Sequence, residues 1–80
     1  MKIPTYEDVM LPILNLMSDE KERENGEIKR ELVYFMKLDG EVLEVRNNNG
    51  NIKFFDNVGF AISHLLMAGL LERPRRAIYI

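Results

Sequence analysis

Apolar residues recur along this chain with two different spacings, and the changes of spacing divide it into elements. In "IPTYEDVMLPILNLMSDE", Val9, Ile13, Leu16 and Met17 fall on one face of a 3.6-residue period, which predicts a first helix. Thr5 stands where an N-cap is needed, and Glu7 and Asp8 fill the first turn, where the helix dipole favours negative charge. Pro12 removes one backbone donor inside the segment and predicts a kink or a tightened first turn. In "GEIKRELVYFMKLDG", Ile28, Leu32, Phe35 and Met36 repeat the helical spacing, with Gly40 as the stop and Lys29, Arg30 and Lys37 turned to water. "FDNVGFAISHLLMAGLLE" predicts a third helix, capped by Asp56 or Asn57 and closed by Gly69.

The remaining stretches lose the helical period. "SDEKERENG" is a run of charges and reads as a solvated connector without a function of its own. "EVLEVRNNNGNIKFF" admits two readings: a hairpin about a turn containing Asn49 and Gly50, or a short helical turn over residues 41–45. The end, "LLERPRRAIYI", alternates like a strand on either side of Pro74, Arg75 and Arg76, which predicts a two-stranded wing at residues 70–80. Three helices followed by a hairpin is the element order of a winged helix, a variant of the helix-turn-helix group. The expectation is therefore one α-rich α+β domain over residues 1–80, with a three-helix core and a two-stranded C-terminal wing.

Size and composition bound this reading. Eighty residues with 46% apolar content support one small core, and 30% charged residues are compatible with a folded chain. The absence of cysteine excludes a disulfide framework and a thiolate metal site. No apolar run approaches the roughly 18 residues that a membrane span needs, and Pro4, Glu7 and Asp8 interrupt any secretory core at the start, so the chain reads as cytoplasmic. The net charge of −2 conceals an asymmetry. Residues 1–45 hold six Lys/Arg against eleven Asp/Glu, and residues 46–80 hold five against two, a basic half of the kind that meets nucleic acid.

The inventory of reactive side chains is short: one histidine (His64), two serines (Ser18 and Ser63) and one threonine (Thr5). No nucleophile elbow, phosphate-binding glycine loop or metalloprotease pair is present, and the carboxylate pairs sit in capping or solvated contexts. No catalytic residue, metal site or cofactor is expected. Arginine suits phosphate because its planar fork gives bidentate, charge-assisted bonds. Arg73, Arg75 and Arg76 on the wing, with Lys53, Asn57 and Ser63 on or beside the third helix, are thus the candidates for contact with double-stranded DNA. On a helical wheel, Phe60, His64, Ala68, Ala61, Leu65, Val58, Ile62 and Leu66 make the third helix apolar over a wide arc, leaving Asp56, Gly59, Ser63 and Met67 as the rest. A helix that reads base edges normally offers Arg, Asn, Gln or Lys. The alternative reading is an interaction module that forms a homodimer, or docks on another protein, through Ile62, Leu66 and Met67.

Two stretches together, "IPTYEDVMLPIL" and "NVGFAISHLLMAGLLERPRRAIYI", resemble the N-terminal domain of Mrr-type restriction endonucleases. The matching positions are residues 3–6, 11–12, 58–61, 68–72 and 74–76, so the resemblance covers roughly residues 1–18 and 56–80, and the middle diverges. It implies a winged-helix domain that targets DNA, often modified DNA, and that a separate nuclease domain follows in full-length members. The chain would then be a stand-alone module or the N-terminal part of a longer restriction protein. For residues 41–45 the resemblance favours the helical turn. Where the family carries basic or polar side chains, this chain has Ile62, Leu66 and Met67, which turns the third helix from base reading towards an interface.

Overall fold

A computed structural model describes residues 2–80. The first helix, α1 (Tyr6–Leu16), begins as its sequence demands: the Asp8 N–H donates to Thr5 Oγ1 at 3.2 Å and the Thr5 N–H donates to Asp8 Oδ2 at 3.0 Å, a reciprocal capping box. The helix runs unbroken through Pro12, and its core face carries Val9 and Ile13. A 3-10 turn (Met17–Asp19) follows, and Glu20 takes a left-handed conformation (φ 59°) that turns the chain out of it.

The charged connector does more than link two helices, in contrast to its sequence reading. Arg23–Glu24 forms β1 and pairs antiparallel with β2 (Ile78–Tyr79), Arg23 opposite Tyr79 and Glu24 opposite Ile78. A charge run hides this strand because two residues suffice for the pairing and neither carries a β-favouring side chain. Arg23 is held from both sides, with Nη2 at 2.8 Å from Asp19 Oδ2 and Nε at 3.0 Å from Glu31 Oε2. The next residues open α2 (Asn25–Phe35), where the Glu24 N–H donates to Glu27 Oε1 at 3.0 Å and the Asn25 N–H donates to the Ala77 carbonyl at 2.9 Å.

The second helix buries Ile28, Leu32 and Val33, while Phe35, expected in the core, remains 47% exposed. The displacement follows from where the helix stops. Lys37, not Gly40, adopts the left-handed conformation (φ 55°). The Lys37 N–H donates to the Tyr34 carbonyl and the Leu38 N–H to the Val33 carbonyl, which is the paired bonding of a Schellman stop. Gly40 instead opens a 3-10 turn (Gly40–Glu44) capped by Asp39, whose Oδ1 accepts from the Glu41 N–H. Both readings of the middle segment are realised, one after the other. The helical turn is followed by an antiparallel bridge between Arg46 and Ile52, closed by a tight turn with Gly50 at φ 89°.

The third helix, α3 (Lys53–Met67), starts three residues before the first expected cap. Asp56 and Asn57 lie inside it. The helix begins at the end of the small bridge, where the Lys53 N–H donates to the Val45 carbonyl at 2.9 Å, so a backbone bond performs the task expected of a side chain. Phe54, Val58, Ala61, Ile62 and Leu65 form its buried face and meet Val9, Ile13, Met17, Ile28 and Leu32 in a single core that also takes in Leu71 and Tyr79. Gly69 terminates α3 as its sequence predicts, at φ 75°, with the Gly69 N–H on the Leu66 carbonyl and the Leu70 N–H on the Leu65 carbonyl.

Beyond α3 the chain folds back on itself. Glu72 and Ile80 exchange both backbone hydrogen bonds (2.8 and 3.0 Å), and the Ile78 N–H donates to the Arg75 carbonyl. The turn predicted around Pro74, Arg75 and Arg76 is present, but only β2 extends to a strand and its ladder partner is β1. The result is an α-rich domain of three helices and a two-stranded antiparallel sheet, an arrangement compatible with a winged helix. The two helix stops should respond oppositely to substitution. Gly69→Ala forces a Cβ into a left-handed position and should lower stability by about 1 kcal/mol, whereas Lys37→Gly should raise it by up to about 1 kcal/mol. Urea midpoints of the two variants check the signs.

Candidate nucleic-acid interface

The arginine turn is held to the body at three points. The β1 and β2 pairing fixes its trailing arm, the Asn25 N–H holds the Ala77 carbonyl, and Tyr79 inserts its ring into the core at 9% exposure. Ala77 itself sits at φ 63°, a backbone cost borne where the chain reverses. On this fixed turn Arg73, Arg75 and Arg76 are all exposed. Arg75 donates from Nη2 to Glu22 Oε1 of the connector, while Arg73 and Arg76 take part in no ion pair among the described residues. The connector, which reads as a mere link in the sequence, therefore supplies both the strand that orients the turn and the carboxylate that engages one of its arginines.

The outward face of α3 differs from its wheel projection. Ile62, expected on an exposed apolar face, is 2% exposed and belongs to the core, and Leu66 is half-buried against it. The wheel misplaces Ile62 because an arc that wide cannot be divided between core and surface without knowing where α1 and α2 lie. Met67 is 84% exposed as expected, and Phe60, assigned to the apolar arc, is 62% exposed. Lys53, Phe60 and Met67 recur every seven residues, so they form one outward stripe with Asp56 and Ser63 beside it. Lys53 and Ser63 are exposed. The Asn57 amide is engaged elsewhere, donating to the Pro4 carbonyl at 2.9 Å and tying the segment before α1 to α3. His64 stacks on the Tyr6 ring, with centroids 4.9 Å apart and planes 15° off parallel, a packing contact.

A shallow groove beside this stripe was not legible from the sequence. Its walls come from α2, the asparagine turn and α3 from Phe55 to Ser63. The Asn47 and Asn51 amides donate to the two oxygens of Asp56, at 2.6 and 3.3 Å, and so lash the turn to the helix. Lys29, expected to face water, lies with its ammonium 6.0 Å from the centroid of the Phe55 ring. The run of four asparagines about Gly50 was the available signal, since asparagine serves turns by bonding to nearby groups. Among the described residues, no group of three or more histidine, aspartate or glutamate side chains is placed to hold a metal ion, and no helix is long and apolar enough to cross a membrane.

Electrostatically, the strongest feature is the network about Arg23. Its guanidinium, with the Lys21 N–H adding to it, holds the Asp19 carboxyl well below the usual carboxylate range, and Asp19 in turn raises the Arg23 value. Bonds from Thr5, the backbone N–H first, lower Asp8 in the same direction.

An α-rich three-helix domain with a small antiparallel sheet and an exposed arginine turn is the class that this fold and surface define. The model of the Mrr N-terminal domain matches residues 6–80, and the chain belongs to that family. No curated protein and no solved structure matches it.

A carboxyl whose folded value lies below its unfolded value of 3.8 stabilises the fold fully above that pH, and the contribution disappears as pH falls through the folded value. The urea midpoint should therefore hold down to a pH of about 4 and decline below it. Asp19→Asn should lower the midpoint at neutral pH and reduce the decline on the acid side.

Proposed function

We propose that this Mrr-type N-terminal domain is a winged-helix module that brings its protein to double-stranded DNA and performs no chemical step itself. The observation that carries the reading is the arginine turn, immobilised against the body by backbone bonds while the side chains of Arg73 and Arg76 enter no ion pair among the described residues. A fixed turn presenting free guanidinium groups can follow a phosphate backbone without first ordering its own main chain, so little backbone entropy is lost on binding. Such contacts orient the protein on the duplex and carry little sequence information. Lys53 stands at the start of α3, where helix N–H groups favour a phosphate, and adds a cation at the end of that helix away from the arginine turn. Family membership supports a role in a restriction system. The non-catalytic part of the reading rests on the short list of nucleophiles and bases, of which His64 is stacked against Tyr6.

A second reading has one observation in its favour. Phe60 and Met67 lie exposed on one stripe of α3, and clustered apolar residues of this kind mark surfaces that meet other proteins. Homodimerisation through α3 would use Met67 and Phe60, with Leu66 at the margin. If Met67→Lys shifts a dimer to monomer in sedimentation velocity, this second reading stands; a monomer at all concentrations removes it.

The first reading is tested by fluorescence anisotropy with a duplex across a salt series. Arg73→Ala combined with Arg76→Ala should weaken binding to all duplexes alike and flatten the dependence of log K on log salt by roughly one to two units, at about 0.9 for each phosphate no longer neutralised. Glu22→Gln, which releases Arg75, should strengthen binding and steepen the slope by up to about 0.9. An unchanged affinity and slope in the arginine double variant would leave the turn without a role in binding.

A further inference from the structure

The asparagine turn is a second basic element whose shape is set before any ligand arrives. From Val45 to Phe55 the chain carries Arg46 and Lys53 and neither aspartate nor glutamate. Within this stretch the Asn47 N–H donates to the Asn51 carbonyl at 2.8 Å and the Gly50 N–H to the Asn47 carbonyl at 2.9 Å. The Asn51 N–H donates to Asn49 Oδ1 at 3.0 Å, so a side chain closes the turn as well. Arg46 lies against it, with Nη1 at 2.7 Å from the Gly50 carbonyl. That bond engages one N–H of the guanidinium fork and leaves the remainder for a ligand.

The acids at either end of the stretch are Glu44 and Asp56. Asp56 meets the turn, and both of its oxygens are taken by neutral donors, the Asn47 amide at 2.6 Å and the Asn51 amide at 3.3 Å. A lysine or arginine in their place would also satisfy the carboxylate, but its charge would then be engaged, as that of Arg23 is by Asp19 and that of Arg75 by Glu22. Amides leave the cations of this region available. Arg46 and Lys53 are exposed, and Lys29 reaches the same place from α2, sharing the groove with Asn49 and Asn51. None of the three enters an ion pair among the described residues.

We propose that the asparagine turn, through Arg46 with Lys29 and Lys53, is a second phosphate-binding element, so that the domain holds a duplex at two places and not at the arginine turn alone. The proposal rests on the DNA-targeting reading and adds to it two residues, Arg46 and Lys29, that the arginine cluster gave no reason to single out. The occupant is a phosphate backbone because its charges are closely and regularly spaced, so several cations on one fixed turn can each neutralise one. Contacts of this kind set the orientation of the protein and discriminate little between sequences.

The test uses the whole chain, two duplexes of unrelated sequence and fluorescence anisotropy across a salt series. Asn48 is exposed in the turn, and Asn48→Lys adds a charge there without removing a cation. It should tighten binding to both duplexes roughly fivefold at about 0.15 M salt and steepen the dependence of log K on log salt by about 0.9. Asn15→Lys places the same charge at an exposed position on α1 and should leave the slope as in wild type. Arg46→Gln should flatten the slope by about 0.9, and its loss should add to that of the Arg73 and Arg76 double variant. If Arg46→Gln loses its helical circular dichroism, the Asn48→Lys comparison alone decides. Equal effects of Asn48→Lys and Asn15→Lys would show a response to net charge only and overturn the proposal. Unchanged slopes in Asn48→Lys and Arg46→Gln, with the arginine-turn double variant still weakened, would overturn it and leave the DNA-targeting reading intact. A wild-type chain that binds neither duplex would remove both. Polyglutamate bound as tightly as the duplexes, and released by Arg46→Gln, would assign the turn to an acidic protein and overturn the proposal.

Discussion

The pairing of Arg23–Glu24 with Ile78–Tyr79 is the constraint on which the placement of the arginine turn depends. It joins the connector after the first helix to the end of the chain, and three other features follow from it. Tyr79 is directed into the core, the Ala77 carbonyl meets the first N–H of α2, and Glu22 comes within reach of Arg75. The arginine turn is consequently a fixed projection of the three-helix body. Without β1 it would be a tail carrying positive charge, with no set direction relative to α3.

The helices were legible because their apolar faces repeat with a clear period, and the stop at Gly69 and the cap at Thr5 follow from local chemistry that tertiary structure left alone. The misreadings share a physical cause: in each, a backbone or tertiary contact replaced the expected side-chain signal. A bridge between Arg46 and Ile52 starts α3, making caps at Asp56 and Asn57 unnecessary. Lys37 accepts a left-handed backbone and ends α2 before Gly40, which puts Phe35 on the surface. Ile62 was placed at an interface because periodicity shows that a helix has an apolar arc but not how much of it neighbouring helices cover. The candidate site divides similarly. The clustered arginines are visible in the sequence, whereas the carboxylate opposite Arg75 and the groove beside the asparagine turn depend on residues distant along the chain.

Charge is distributed to the same end. The acidic first half and basic second half of the sequence meet at the ion pair between Glu22 and Arg75, and Asp19 of the connector is engaged with Arg23. An exposed pair of this kind adds little to stability. Its effect is on availability: it tempers one of three arginines and, among the described residues, leaves the other two outside any ion pair, so an acidic chain still presents a local positive surface.

The small sheet also has a dynamic consequence. Its two strands are two residues long and lie more than fifty positions apart in the chain, whereas the helices are built from contacts between near neighbours. Closing a long loop for a short ladder gives the sheet little free energy of its own, and such elements open locally well before global unfolding. The domain can thus lose the direction of its arginines while its helices remain intact, so mild heating or a connector substitution would free the arginine turn in a protein that still registers as folded by circular dichroism.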